Sequence, residues 1–289
     1  MPVPSLPTFM LAPADAAPWR ANLDLWFDRD TRGTVLVRRR HSGPLQVQKA
    51  LYPEGSAVCH VTILHPPGGM VGGDRLQISA SGQGGSHALL TTPGAGKWYR
   101  SVAGRAEQRL RFELQDDAIL EWLPRENILF DASQACMSLD VHLSARARFL
   151  GWEILCFGRR ACGEQWRHGS LQLDTRVLRA GRALWIERAV LNAGGGFAAS
   201  AAGLAGCSVS ATFLAAGFEA QPDLLQACRE LAVPGDASRR GLTWIPGVLL
   251  ARYLGDSSED VFLWFSALWS LLRPRLLGRA ATRPRLWAC

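Results

Sequence analysis

The amino-acid sequence predicts a mostly β protein of many short strands with a few helices. Three observations carry this. The 29 glycines and 16 prolines are spread along 289 residues rather than gathered in one block, so turns punctuate the whole chain. Polar and apolar residues alternate with a period of two in several separate stretches, the pattern of a strand with one buried face. Only two stretches carry a helical pattern instead. Apolar residues make up 48% of the chain and charged ones 20%, enough for a sizeable core.

Taken in order, residues 1–18 read as a flexible lead. This lead has no positively charged start and is broken repeatedly by proline, so it is not a secretion signal. No linker and no repeat of fixed period divides residues 19–289, which are expected to form one domain. Strand patterns appear at Leu45-Gln46-Val47-Gln48 after the Gly43-Pro44 turn, at Leu76 and Ile78, and at Leu110, Phe112 and Leu114 between charged neighbours. They recur at Leu171 and Leu173, and at residues 183–186 after the Gly181 turn. Residues 189–218 hold no charge, but they are rich in Gly, Ala and Ser. A membrane span needs about 20 predominantly apolar residues, so this stretch reads as buried strands and turns of small residues, with no membrane partner.

Asp223 precedes Leu224, Leu225, Cys228 and Leu231, which share one helical face. Ser257-Ser258-Glu259-Asp260 then opens an apolar run over residues 261–272. Serine caps and first-turn acids suit a helix start, and Arg273-Pro274 is expected to stop it. That helix is apolar nearly all round, so it is either buried or an interface element, with Trp264 and Trp269 as candidate anchors.

Composition also excludes functions. The net charge is +7 and comes from arginine, since lysine occurs only at Lys49 and Lys97. The densest basic runs, Arg38-Arg39-Arg40 and residues 273–285, are short and separate, which does not fit a nucleic-acid reader. Seven cysteines without a CxxC pair exclude zinc-ribbon and thioredoxin readings, and reduced thiols in a cytoplasmic protein are expected.

The densest chemistry lies in residues 59–101. Pro66, Pro67, Gly68, Gly69, Gly72 and Gly73 fall within eight residues, a side-chain-poor backbone suited to close approach of chain to chain or to ligand. Cys59, His60 and His65 could ligate a borderline metal. On a strand, however, His60 faces away from the other two, and Cys59 and His65 lie about 20 Å apart. Each histidine then belongs to the core or a turn unless other parts of the fold assist. A phosphate loop at Gly96-Lys97 fails, because Thr91 stands where the first glycine is needed and Trp98 follows the lysine. No GxSxG elbow is present either. The acids Glu121, Glu126, Asp131, Glu153, Glu164 and Glu187 are scattered singly. Those in apolar surroundings, Glu153 and Glu187 above all, either pair with an arginine such as Arg159 or Arg188 or line an internal polar passage.

Several blocks together resemble the UreD (UreH) urease accessory proteins. They are Gly43-Pro44-Leu45, Tyr52-Pro53-Glu54-Gly55, Cys59-His60, His65-Pro66-Pro67-Gly68-Gly69 and Val71-Gly72-Gly73-Asp74. Thr91-Thr92-Pro93-Gly94-Ala95, Lys97, Tyr99-Arg100-Ser101, Leu120-Glu121-Trp122-Leu123-Pro124, Gly158-Arg159, Gly163-Glu164, Glu187-Arg188 and Leu272-Arg273-Pro274 come next in order. Two positions depart from the family pattern. Gly96 stands where the family usually has a small residue with a side chain, often serine or threonine, and Arg75 follows Asp74 where some members carry an acid.

The resemblance implies a β-helix-like fold and no catalysis by the chain itself. It further implies a complex with UreF and the GTPase UreG that binds the urease structural subunits and delivers nickel to them. Ni²⁺ is then a transient cargo rather than a tightly bound cofactor. It passes through an internal tunnel whose acidic positions match Asp74, Glu153 and Glu187. Cys59, His60, His65 and Glu164 are secondary metal candidates. Gly68, Gly69, Gly72, Gly73, Pro93, Gly94, Lys97 and Arg100 are the family's structural motif. The alternative is a metal-dependent hydrolase built on His60, His65 and Asp74.

Overall fold

Most strands that alternate in the sequence become long strands of one sheet in the computed structural model, which describes residues 18–232 and 239–288; the stretch at residues 45–48 does not, giving only a two-residue strand at the edge of the other sheet. The first are β1 (Arg20–Asp30), β2 (Gly33–Ser42), β3 (Gln46–Val47), β4 (Cys59–Leu64), β5 (Gly69–Met70) and β6 (Arg75–Gly82). Next come β7 (His87–Thr91), β8 (Gly96–Trp98), β9 (Ala106–Leu114), β10 (Ile119–Trp122), β11 (Asn127–Leu129) and β12 (Ser133–Leu143). They are followed by β13 (Arg148–Phe157), β14 (Gly169–Arg179), β15 (Arg182–Asn192), the short helix α1 (Gly196–Ala199) and β16 (Val209–Ala216). Helix α2 (Pro222–Arg229), β17 (Arg240–Ile245), β18 (Val248–Gly255) and helix α3 (Ser258–Leu277) come last. The lead expected at residues 1–18 falls outside the described residues except for Pro18.

The backbone coils. β4, β7, β10 and β13 pair in parallel, as do β6, β9, β12 and β14 in a second sheet. Between them the short strands β5, β8 and β11 stack in parallel and end on β13. This is a β-solenoid, and the expected mostly β, β-helix-like fold is the one that forms. Its repeat escapes a sequence search because the turns differ in length: the first-sheet strands start at Cys59, His87, Ile119 and Arg148. Antiparallel strands close both ends, giving the orders β15-β14-β12-β9-β6-β1-β2 and β17-β18-β16-β13-β10-β7-β4-β3.

The two sheets differ in what covers them. In the seven-stranded sheet one face meets solvent, so β6 alternates exposed and buried residues along its length. The larger sheet is covered on both sides, by the solenoid interior and by α2 and α3. Every residue of β7 is therefore buried.

Helix α3 is part of that cover. Ser257 Oγ accepts the Asp260 N–H at 3.1 Å, and Glu259 and Asp260 sit in the first turn, as expected of its start. Its end differs from expectation. The helix continues through Pro274 to Leu277 and closes at Gly278, whose φ is 68°. A mid-helix proline costs about 3 kcal/mol. Burial of Leu272, Leu276 and Leu277 offsets this, each apolar side chain contributing about 1.5–3 kcal/mol. Nor are Trp264 and Trp269 surface anchors: they are 1% and 0% exposed, packed on the outer face of the larger sheet. That face is apolar and needs cover, which α3 supplies within the chain.

Candidate functional site

Inward side chains of the solenoid change character along its axis. In the seven-stranded sheet one inward row runs Leu23, Ile78, Leu110, Leu139, Thr175, Glu187. In the larger sheet Glu153 on β13 is opposite Thr212 on β16, which is opposite Arg252 on β18. The first row turns polar towards β15, and the second is polar from β13 to β18. The interior there is not filled. A cavity of about 300 Å³ is lined by Thr175, Glu187, Thr212 and Arg252 among others. A second, of about 210 Å³, reaches His65, Gly68, Gly69, Pro93, Gly94 and Lys97. Gln108, Leu110, Trp122, Trp152 and Glu153 line both, so the two adjoin at Glu153.

Glu153 is half-buried and lines both cavities. Among the described residues it has no hydrogen-bond or ion-pair partner. Burial, with the neighbouring Glu187 charge second, pushes its carboxyl up to about 7. Glu187 is paired: Arg252 Nη1 donates to Oε1 at 2.7 Å. Arg188, the partner considered for it from sequence, pairs with Asp174 instead.

Asp74 lies outside the lining of these two cavities and is 1% exposed. Its carboxylate accepts the N–H groups of Trp19 and Val71, each at 2.9 Å, and so ties the segment just ahead of β1 to the glycine-rich turn. In that turn a side chain on Gly69 would strike the Tyr99 ring, and one on Gly72 the Ala103 carbonyl. The glycines admit close approach of chain to chain, as their spacing suggested. His65 packs edge-on against Trp19, and burial depresses its pKa against the opposing pull of Asp74.

The remaining candidates are dispersed. Cys59 faces the solenoid interior, whereas His60 faces outward and meets Glu54. Glu164 is held by Arg159 and by the Asp131 N–H; burial pushes its carboxyl up, but these partners outweigh it and the pKa is lowered. Lys97 and Arg100 are exposed. A side chain on Gly96 would meet Asn127 Oδ1, the acceptor of the Trp98 indole N–H. Arg75 points outward, 3.7 Å from Glu107, so the acid absent there would not face the interior. No group of three or more His, Cys, Asp and Glu positioned to hold a metal occurs among the described residues. His60, His65 and Asp74 do not converge.

Sequence reasoning missed a second cluster of charge, under α3. Arg273, 0% exposed, donates through Nη1 and Nη2 to Glu54 at 2.7 Å and through Nε to both oxygens of Glu121. Glu121 also meets His87 Nε2 at 2.6 Å and the Trp269 indole at 2.5 Å. His60 binds Glu54 at 2.6 Å, and the Ala280 carbonyl takes another guanidinium N–H. Burial pushes the Glu54 carboxyl up, but His60 and Arg273 override it and hold it down at about 2. Glu121 is lowered in the same way, burial being outweighed by His87 and Arg273. A signal was available: Glu54, His60, Glu121 and Arg273 all lie in the blocks that carry the family resemblance.

Among the described residues no helix is long and apolar enough to cross a membrane. Residues 20–288 match the family model described as UreD urease accessory protein. The urease accessory protein UreD of Dechloromonas aromatica is 50% identical over 279 residues, covering 95% of this chain and 96% of its own. That of an Azoarcus species is 48% identical over 269 residues, covering 93% and 94%. These relatives are named as accessory proteins, not as catalysts. The chain belongs to the UreD urease accessory protein family.

Proposed function

We propose that this chain delivers nickel to urease through its solenoid interior, acting in the cytoplasm in a complex with UreF and UreG that docks on the urease structural subunits. One observation carries the reading: Glu153, an inward carboxylate without a partner among the described residues, stands where two internal cavities adjoin. Burying a carboxylate unpaired is costly. A core position with only a packing role would hold an apolar residue or a paired charge, and Glu121 is the example of the latter. A carboxylate open to a cavity offers a divalent cation a single anionic ligand, with water completing its shell. One such ligand binds weakly enough to release, unlike a closed four-ligand site.

Of the three acids assigned to the passage by resemblance, Glu153 and Glu187 face the cavities and Asp74 braces the turn beside the smaller one. The basic surface suits docking on other proteins. Loss of the chain should leave urease synthesised but nickel-poor. The sharper test is Glu153→Gln, which keeps shape and removes charge. Co-purification with UreF and urease should be unchanged while urease nickel content falls at limiting nickel. Full nickel occupancy with the variant would overturn the reading.

A further inference from the structure

Arg252 is out of place in a route for cations. It lines the larger cavity, extends the row Glu153–Thr212–Arg252 across the larger sheet, and reaches the opposite sheet to bind Glu187 at 2.7 Å. The pair therefore bridges the two sheets at the polar end of the interior. Unlike Arg273, it is not sealed in, since its side chain is 44% exposed and that of Glu187 30%. Half-exposed pairs contribute little to stability and open at little cost. The same guanidinium already lies against Trp185: its carbon is 5.7 Å from the ring centre, within cation–π range, a contact it can keep or tighten on leaving Glu187.

We propose that Arg252 is the resident counter-ion and gate of the cavity's outer end, occupying Glu187 until a divalent cation displaces it towards Trp185 and solvent. This rests on the passage reading above. With the arginine on Glu187, the mouth is a neutral pair and the inner carboxylate of Glu153 is the one free anionic ligand among the described residues lining the two cavities. A cation moving outward takes Glu187 as its next ligand and releases the guanidinium. The guanidinium then competes for that carboxylate and helps to expel the cation. Without Arg252, Glu153 and Glu187 would both be free and would face one cavity, and the passage would become a trap.

The inference is tested by Ni²⁺ binding to the purified full-length chain in equilibrium dialysis near pH 7.5. Arg252→Gln should bind Ni²⁺ at least about fivefold more tightly than wild type, the modest gain expected from removing one nearby, partly screened positive charge. The gain should vanish in the double variant Arg252→Gln with Glu153→Gln, which locates it in the cavity rather than on the surface. Glu187→Gln leaves Arg252 uncompensated and should weaken Ni²⁺ binding by a similar factor, so the test survives if the arginine variant fails to fold. Unchanged affinity in either single variant, or a gain that persists in the double variant, overturns the gate. Failure of the passage itself is read elsewhere, as full urease loading by Glu153→Gln alone.

Discussion

Two carboxylates, Glu121 and Glu153, are withdrawn from bulk solvent on opposite faces of the same sheet, and their surroundings differ completely. Glu121 is 0% exposed, and its oxygens are taken up by Arg273, His87 and Trp269. Glu153 lines both cavities and has no hydrogen-bond or ion-pair partner among the described residues. The first carboxyl is held below its ordinary range by its partners, and the second is pushed above it by burial. A buried acid fully satisfied by protein fixes structure, whereas one left open to an internal cavity is free to meet something that passes. The contrast separates a lock from the proposed passage on two adjacent strands.

The largest effect should come from breaking the lock. Arg273→Met leaves Glu54 and Glu121 buried without their shared cation, and removing one partner of a buried pair costs about 3–5 kcal/mol. Loss of soluble expression or a much lower melting temperature checks this. If Arg273→Met melts like wild type, the cluster is not the fastening inferred here.

The pH dependence of stability reads the other carboxylate. The Glu153 pKa is raised from 4.5 to about 7, so between those values the folded chain holds a proton that the unfolded chain has released. Its contribution is full below about pH 4.5 and is lost as pH rises through about 7. That amounts to a cost of up to about 3 kcal/mol on the alkaline side. Glu153→Gln should remove this component and be the more stable chain at pH 8. Chemical denaturation of both proteins at pH 5 and pH 8 measures it, and parallel pH profiles would refute the assignment.

Asp74→Ala strips the acceptor from two backbone amides and should cost about 1–3 kcal/mol. It should first loosen the segment around Trp19 ahead of β1, seen as faster amide exchange at Trp19 and Val71. A variant with unchanged stability and lost nickel delivery would instead return Asp74 to the passage. Smallest is the cap of α3: Ser257→Ala should cost about 1 kcal/mol, read as a small drop in denaturation midpoint.

How much of the fold and the site was legible depended on which sheet a strand joined. Strands of the seven-stranded sheet meet water on one side, and their alternation at Leu110, Phe112 and Leu114, or at Leu171 and Leu173, stands out. β7 and β13 are covered on both faces, so their sequences are near-continuous apolar runs with no period to read. Pro274 misled for a related reason, because local propensity argues for a stop where burial of Leu276 and Leu277 carries the helix on. Glu153 and Glu187 stood out as acids in apolar runs. Their contrast with Glu121 did not, because partners 148 and 152 residues away decide it. Arg252 gave no local signal at all. Its meaning comes only from the closure of two sheets upon each other.

If nickel travels through the interior, filling the junction of the two cavities must stop it whatever the charge of Glu153. Leu110 lines both cavities, and Leu110→Trp adds bulk there without removing any polar partner. The measurement is nickel per urease active site, with accessory-complex recovery and chain melting temperature taken on the same preparations. Recovery and melting close to wild type with urease almost free of nickel is the expected outcome. Urease fully loaded by a folded, complex-forming Leu110→Trp chain would mean that nickel takes another route.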